Sequence, residues 1–409
     1  MARFETIDDL PSDSRVLVRL DLNSPIEDGE PQDNERFTRH AETVRELAEA
    51  GHRVVCLAHQ GRPGNDDFTT LSGHARILER HVGREVAFVP DTNGSKAIEA
   101  IEAVSPGEIL LLENVRMSEG ELPEADPETK AETELVRTLA PLFDAYVNDA
   151  YSAAHRSHAS LVGFPLVLPA YAGRVMETEY EANTAIATRE FDGQVTMVVG
   201  GTKATDVIDV MDALGERVDR FLLGGVAGEL FLRAAGYPVG YDLEGMDRFD
   251  DQWEQNHETI ESLLEEYGDR ISLAVDLAHE DEEGARTEVA VEAIDEKTNP
   301  YLDVGTETVM TYEPIIRESE AVFLKGALGV FEDERFAVGT VGVLEAMAGS
   351  DCFSVVGGGD TARAIDLYDL NEDDFSHVSI AGGAYIRALT GEPLPAVEAL
   401  ERGRARSEE

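Results

Sequence analysis

Short runs of β-branched and leucine residues alternate with longer amphipathic segments along the whole chain, and this alternation constrains the fold more than any other feature. It is the pattern of parallel sheets covered by helices. In the first half the runs are Val16–Leu20, Val54–Ala58, Val86–Val89, Ile109–Leu112 and Ala145–Val147. In the second half they are Val195–Val199, Phe221–Leu223, Ser272–Val275, Ala321–Leu324, Phe353–Val356 and Val378–Ile380. Between them, Phe37, Ala41, Val44, Leu47 and Ala48 mark one face of a helix that Gly51 closes. The fold class is α/β, and 409 residues suffice for two or three domains of ordinary size.

Ligands of open α/β sheets bind beyond the carboxyl ends of the strands, so the residues there carry the functional signal. In the first half they are polar and basic: Asp21-Leu22-Asn23, His59-Gln60-Gly61-Arg62, Glu113-Asn114-Val115-Arg116, and Asn148-Asp149 leading to His155-Arg156-Ser157-His158. Arg62, Arg116 and Arg156 follow strand ends and Arg36 begins the first helix, so together they form a candidate pocket for a small phosphorylated or carboxylated anion. In the second half the strand ends are glycine-rich: Gly200-Gly201, Gly224-Gly225, Gly326 with Gly329, Gly357-Gly358-Gly359, and Gly382-Gly383. Glycines let backbone N–H groups approach a phosphate, and a helix starting there adds its dipole. Gly357-Gly358-Gly359-Asp360-Thr361 is the strongest of these sites, with Asp360 either a plain helix cap or a magnesium contact beside a polyphosphate. Neither a Walker A pattern nor a GxGxxG fingerprint opens a strand–helix unit.

Charge narrows the partners. With 83 acidic and 34 basic residues the formal net charge is −49, and only five of the cations are lysines, Lys96, Lys130, Lys203, Lys297 and Lys325. Such an exterior excludes nucleic acid and anionic membranes, which need clustered Lys and Arg. Its self-repulsion is screened at molar salt, where the Debye length is about 3 Å, so the composition reads as adaptation to a salt-rich cytoplasm. Cys56 and Cys352 are far apart and read as reduced thiols, and the first residues have no secretory pattern, which makes a cytoplasmic location the expectation.

At this level of detail the chain resembles the phosphoglycerate kinase family. The resemblance rests on Val16-Leu17-Val18-Arg19-Leu20-Asp21-Leu22-Asn23-Ser24-Pro25, His59-Gln60-Gly61-Arg62-Pro63, Leu112-Glu113-Asn114-Val115-Arg116, and the stretch from Tyr146 to Ser160. Gly200-Gly201-Thr202-Lys203, Gly329-Val330-Phe331-Glu332 and Gly357-Gly358-Gly359-Asp360-Thr361 complete it, in the family's order and across nearly the whole chain. It implies two Rossmann-like domains with parallel sheets flanked by helices, joined by a hinge helix across a cleft. It also implies phosphoryl transfer between 1,3-bisphosphoglycerate and ADP, giving 3-phosphoglycerate and ATP, with Mg²⁺ accompanying the nucleotide. By motif match Asp21, Leu22, Asn23, Arg36, His59, Gln60, Gly61, Arg62, Arg116 and Arg156 would bind the triose acid. Lys203, Gly224, Glu332, Gly357, Gly358, Gly359, Asp360 and Thr361 would bind the nucleotide, Asp360 holding the magnesium. Arg36, Lys203 and the amides of Gly358 and Gly359 would act on the transferring group; no general base is needed, because the acceptor carboxylate is already ionised.

The sequence departs from the family mainly on the nucleotide side. Val207 stands where a second lysine is usual, Lys325-Gly326-Ala327 replaces Asn-Gly-Pro, and Ser379-Ile380-Ala381-Gly382-Gly383 replaces Ser-Thr-Gly-Gly-Gly. Lys325 either restores the charge missing at Val207 or marks a looser loop. The expected organisation is an N-terminal 3-phosphoglycerate domain at 1–170, a connecting helix at 171–190, a nucleotide domain at 191–390, and a tail at 391–409 returning to the first domain. The chain is expected to act as a monomer on small molecules. Two rivals stay open here, a related-fold kinase of another small carboxylate and a non-catalytic metabolite-binding protein.

Overall fold

The computed structural model describes residues 4–240, 248–295 and 300–407, without the side chains of Arg248, Asp360 and 404–407. The chain divides into two compact units, Met1–Glu181 with Glu392–Glu409, and Ala182–Gly391. Each is built on a six-stranded sheet whose pairings are all parallel.

In the first unit the strands are β1 (Arg15–Arg19), β2 (Arg53–Leu57), β3 (Val86–Phe88), β4 (Ile109–Leu111), β5 (Ala145–Asn148) and β6 (Ala170–Ala172), ordered β3-β4-β2-β1-β5-β6. In the second they are β7 (Val195–Val199), β8 (Arg220–Leu223), β9 (Ile271–Ser272), β10 (Ala321–Lys325), β11 (Phe353–Gly357) and β12 (His377–Ser379), ordered β9-β8-β7-β10-β11-β12. The order reverses beside the first strand of each sheet, between β1 and β5 and between β7 and β10. That reversal opens the crevice where such sheets take ligands.

The central strands are covered on both faces, which is why they read as unbroken apolar runs. Val16, Leu17 and Val18 in β1, and Met197, Val198 and Val199 in β7, have no solvent exposure. Helix α1 (Glu35–Glu49) starts where Asn34 accepts the Arg36 N–H at 3.0 Å, and it buries all five residues of the expected face. Gly51 follows at φ 86°, a conformation a side chain would strain.

Two boundaries differ from the sequence reading. Residues 170–172 form the edge strand β6, with the Ala172 N–H bonded to the Glu5 carbonyl at 2.8 Å, so the connecting helix α2 (Arg174–Thr188) begins at Arg174 rather than Tyr171. The division between the units falls within α2. The run Ser272–Val275 is strand only to Ser272. Beyond it the chain enters a small antiparallel sheet of Asp276–Glu280, Arg286–Ala290 and Asp303–Val304. The acidic run at Glu280–Glu283 belongs to its hairpin, where Asp281 Oδ1 accepts the N–H groups of Glu283 and Ala285 at 2.9 and 2.8 Å.

Among the helices of the second unit that begin just beyond strand ends are α3 (Ala204–Leu214) after β7, α4 (Gly225–Ala234) after β8 and α5 (Gly359–Leu367) after β11. The C-terminal helix α6 (Pro395–Ser407) belongs to the first unit, where the Ala396 N–H reaches the Ala154 carbonyl at 3.1 Å.

Candidate functional site

The loops after β1, β2, β4 and β5 gather the basic residues of the first unit. Asp21 stands at the centre, at the reversal between β1 and β5. Its Oδ2 pairs with Arg36 Nη1 and accepts the Ser152 hydroxyl, and its Oδ1 accepts the Asn23 N–H at 3.1 Å. Burial pushes this carboxyl up, but the charge of Arg36, aided by His59 and the Ser152 bond, overrides it and holds the group far below the usual carboxylate range. Asn23 Oδ1 in turn accepts the Gly61 N–H at 2.8 Å, which ties the β1 and β2 loops together.

Around this centre the cations act on one another. Burial, and then Arg19, Arg116 and Arg36, drive the His59 imidazole well below its ordinary value, against the pull of Asp21. His158 is lowered to about 3 by burial and then by Arg116, Arg19, Arg156 and Lys130. Arg116 is itself pushed down to about 10, by burial first, with Arg19 and Arg62 among the like charges responsible. Arg36, Arg62, Arg116 and Arg156 are thus one electrostatic neighbourhood. Arg62 is exposed, Arg36, Arg116 and Arg156 are half-buried, and Arg156 lies 3.9 Å from Glu124. Such a gathering of cations on adjoining loops suits a small polyanion.

Leu22 and Gln60, expected among the substrate contacts, have side chains taken up by the interior. Leu22 is fully buried, and Gln60 accepts from Ser24 N and donates to the carbonyls of Ser24 and Asp67 at 2.9, 2.9 and 3.1 Å. Sequence reading also missed a support. Arg19, treated only as a strand residue, is fully buried, donates to Ser160 Oγ at 2.8 Å, and lies 3.1 Å from His59 Nδ1. Arginine is always the donor, so the neutral His59 accepts on Nδ1. Ser160 passes on to the buried Glu121, donating from N and Oγ at 2.8 and 2.7 Å. A cation inside the otherwise apolar run Val16–Leu20 was the available signal.

In the second unit the glycine-rich strand ends separate into two kinds. At the reversal between β7 and β10 the turns pack backbone on backbone. A Cβ on Gly200 would lie 2.2 Å from the Ala327 carbonyl oxygen, and one on Gly225 2.7 Å from that of Gly201. Gly224 is covered by Leu328, and Gly357 by the Tyr385 ring, at 2.7 and 1.9 Å from the same imagined atom. These four positions need glycine for packing. Gly359 and Gly382 instead face open space, and Gly358, at φ 108°, is the N-cap that opens α5. That helix start is the free amide end suited to a phosphate. Thr361 is fully buried and its hydroxyl bonds the carbonyls of Gly357 and Gly358, both at 2.9 Å, so it shapes the turn. The side chain of Asp360, the expected magnesium contact, lies outside the described residues.

Lys203 is exposed at the N-cap of α3. Lys325, in register between Val199 and Gly357, pairs with Asp206 in the first turn of α3, while Val207 is fully buried. Glu332 is exposed and lies 3.7 Å from Arg363. It also lines a cavity of about 230 Å³ together with Gly201, Gly225 and Gly329. Sequence reasoning missed Glu229 in the wall of the same cavity, 4% exposed. A lone acid in the otherwise apolar face of α4 could have marked it.

The first unit therefore presents a cationic cluster and the second a glycine-framed cavity, each at the reversal point of a parallel sheet. The family profile described as phosphoglycerate kinase matches residues 7–392. Phosphoglycerate kinase of the halophilic archaeon Halorubrum lacusprofundi is 79% identical over 406 residues, covering 99% of this chain and 100% of the relative. That of Haloarcula marismortui is 68% identical over 399 residues, covering 98% and 100%. Among solved structures, phosphoglycerate kinase from Pyrococcus horikoshii OT3 superposes with a TM-score of 0.91 at 33% identity, over 98% of this chain and 100% of that one. On this agreement of sequence, fold and site, the chain belongs to the phosphoglycerate kinase family.

Proposed function

We propose that this chain carries out the reaction of its family, reversible in-line phosphoryl transfer between 1,3-bisphosphoglycerate and ADP, giving 3-phosphoglycerate and ATP. The observation that carries the reading is the convergence of Arg36, Arg62, Arg116 and Arg156 on the loops around Asp21, a cationic cluster in a chain of net charge −49. In this reading Asp21, Asn23, His59 and the four arginines hold the triose acid. Asp21 serves by fixing Arg36, and the neutral His59 by offering hydrogen bonds without adding charge. Arg19 and Glu121 lie beneath them as support.

The nucleotide is assigned to the second unit, with its base and ribose toward the cavity edged by Glu332 and its phosphates toward the amide end of α5. Magnesium enters with ATP as part of the substrate, and Asp360 is its assigned protein contact. The carboxylate of 3-phosphoglycerate is ionised at neutral pH, so what the protein supplies is position and charge. Arg36, Lys203 and the N–H groups of Gly358 and Gly359 are assigned to the transferring phosphoryl group, whose equatorial oxygens carry the developing charge. In the same reading the enzyme is a cytoplasmic monomer; among the described residues no helix is long and apolar enough to cross a membrane.

The test is a coupled assay of ADP formation from Mg·ATP in molar KCl. The reading predicts turnover that requires 3-phosphoglycerate. Turnover with another small carboxylate in its place, or none, would overturn it.

A further inference from the structure

The cavity at the β7–β10 reversal contains a group that its surroundings leave unexplained. Glu229, on the second turn of α4, is 4% exposed, and its Oε2 has no hydrogen-bond partner among the described residues. Around it the walls are largely apolar, with Val226, Leu277, Leu328 and Phe331 contributing. A carboxyl desolvated in this way costs several kcal/mol unless something satisfies it. Two other buried acids of this unit are provided for. Asp303, in the same wall, accepts from Arg286 Nη1 and Gly339 N at 2.9 and 3.0 Å, and Asp276 takes Thr308 and Glu307 N–H groups. Among the described residues that line this cavity, Glu229 has a buried side-chain oxygen without a partner.

Resting on the assignment of this cavity to the nucleotide, we propose that Glu229 reads the nucleobase, its carboxyl group presenting one donor and one acceptor to the N1 and 6-amino edge of adenine. The chemistry of purines makes this selective. Adenine offers an acceptor at N1 beside a donor at its 6-amino group, the complement of a neutral carboxyl group. Guanine offers two donors, N1–H and its 2-amino group, the complement of an ionised carboxylate. Burial raises the Glu229 carboxyl to about 8, so near neutral pH the acid is protonated and matched to adenine. A desolvated polar group rejects the wrong edge more strongly than an apolar wall does, because a mismatch leaves both partners unpaired.

The groups facing Glu229 leave a clear titration window. Tyr301 is raised above its ordinary value by burial and by Glu229 itself, Asp303 titrates near 6, and Glu332 stands at the rim. Among the described residues no lysine or arginine lines the cavity. On Glu229's own helix, Arg233 is paired at 2.6 Å with Asp250 of the neighbouring helix Arg248–Tyr267. Between pH 7 and 9, Glu229 is therefore the cavity group expected to change charge.

Calorimetric titration of ADP and GDP into the full chain in molar KCl, at pH 7 and pH 9, tests the proposal. The wild type should prefer ADP at pH 7 by at least tenfold, and that ratio should fall severalfold at pH 9 as the carboxylate turns toward guanine. Glu229→Gln, which keeps one donor and one acceptor, should retain the preference and lose its pH dependence. Glu229→Leu should reduce the preference about tenfold. An unchanged ratio in folded Glu229→Leu would overturn the proposal; should that variant not fold, a wild-type ratio as flat with pH as that of Glu229→Gln would do so. Failure of the wild type to bind either nucleotide would overturn both the proposal and the assignment of the cavity. Nucleotide binding with a Glu229-dependent ratio, in a protein inactive on 3-phosphoglycerate, would sink only the assigned reaction.

Discussion

Nδ1 of His40 lies 2.7 Å from Oδ2 of Asp149, with both side chains completely buried. The opposite nitrogen of the same ring accepts the Asp21 N–H at 3.3 Å, which puts the imidazole proton on Nδ1. Asp149 Oδ1 accepts the Val175 N–H at 2.9 Å, in the first turn of α2. One imidazole thus couples the loop that fixes Arg36 to the loop after β5 and to the start of α2. Replacing it strands a buried carboxylate. His40→Ala is expected to lower stability by roughly 3 kcal/mol, measured by chemical denaturation in molar KCl. A loss within experimental error would show that the ring is not a structural tie.

Lys325 and Asp206 make a second prediction. The lysine stands between Val199 and Gly357 at the reversal of the second sheet, and its ammonium is matched by Asp206 rather than left as spare charge. Lys325→Met leaves a carboxylate facing the region assigned to the nucleotide phosphates. ADP affinity should fall about tenfold, on the order of one charge-assisted contact, and Lys325→Met with Asp206→Ala should recover most of it. Calorimetry reads both. Equal affinities in all three proteins would mean that the pair only shapes a loop.

Much of this architecture is legible in the sequence, and the reason is burial. Strands covered on both faces, such as Val195–Val199, are apolar but for a residue whose polar group is bonded, here Thr196, so they stand out from the polar turns around them. Ala170–Ala172 does not stand out, because three residues with two alanines form an edge strand only through their tertiary hydrogen bonds. The antiparallel sheet from Asp276 to Val304 is hidden by the charged, half-exposed residues of Arg286–Ala290. At the site, the polar residues after β1, β2, β4 and β5 mark the cationic pocket, whereas Arg19 becomes visible only when its strand is placed under the His59 loop. The glycines carried two signals at once. Those at 200 and 225 make room for neighbouring backbone, while those at 358 and 359 leave a helix end open, and a one-dimensional pattern does not separate the two causes.

Acid should destabilise the fold through its histidines. His74 and His158 are held down to about 4 and about 3, chiefly by burial. Unfolded, each takes up a proton below about 6.5; folded, each resists until pH 3 to 4. The sign is therefore fixed: their contribution is complete above pH 6.5 and is lost as the pH falls from there toward 4. Asp303 works in the opposite sense, because its raised carboxyl, near 6, keeps a proton that the unfolded chain releases. His158→Gln should flatten the decline in melting temperature between pH 7 and 5. An equally steep decline in the variant would assign acid sensitivity elsewhere.

The charge of −49 predicts a fold that needs salt to screen its self-repulsion. Activity and melting temperature should both rise as KCl increases from 0.1 M toward molar concentrations, while the Debye length contracts from about 10 to about 3 Å. Full activity and stability in dilute buffer would contradict adaptation to high salt and would leave the proposed reaction untouched.

In the proposed reaction the labour is divided: the arginines around Asp21 hold the triose acid, and the second unit holds the nucleotide. Steady-state kinetics of Arg62→Met, with each substrate varied in turn, tests it most directly, because Arg62 is exposed and its loss should leave the fold intact. KM for 3-phosphoglycerate should rise about tenfold or more, as expected for one charged contact, while KM for Mg·ATP should stay within about twofold of the wild type. A rise confined to Mg·ATP, or no change in either constant, would contradict it.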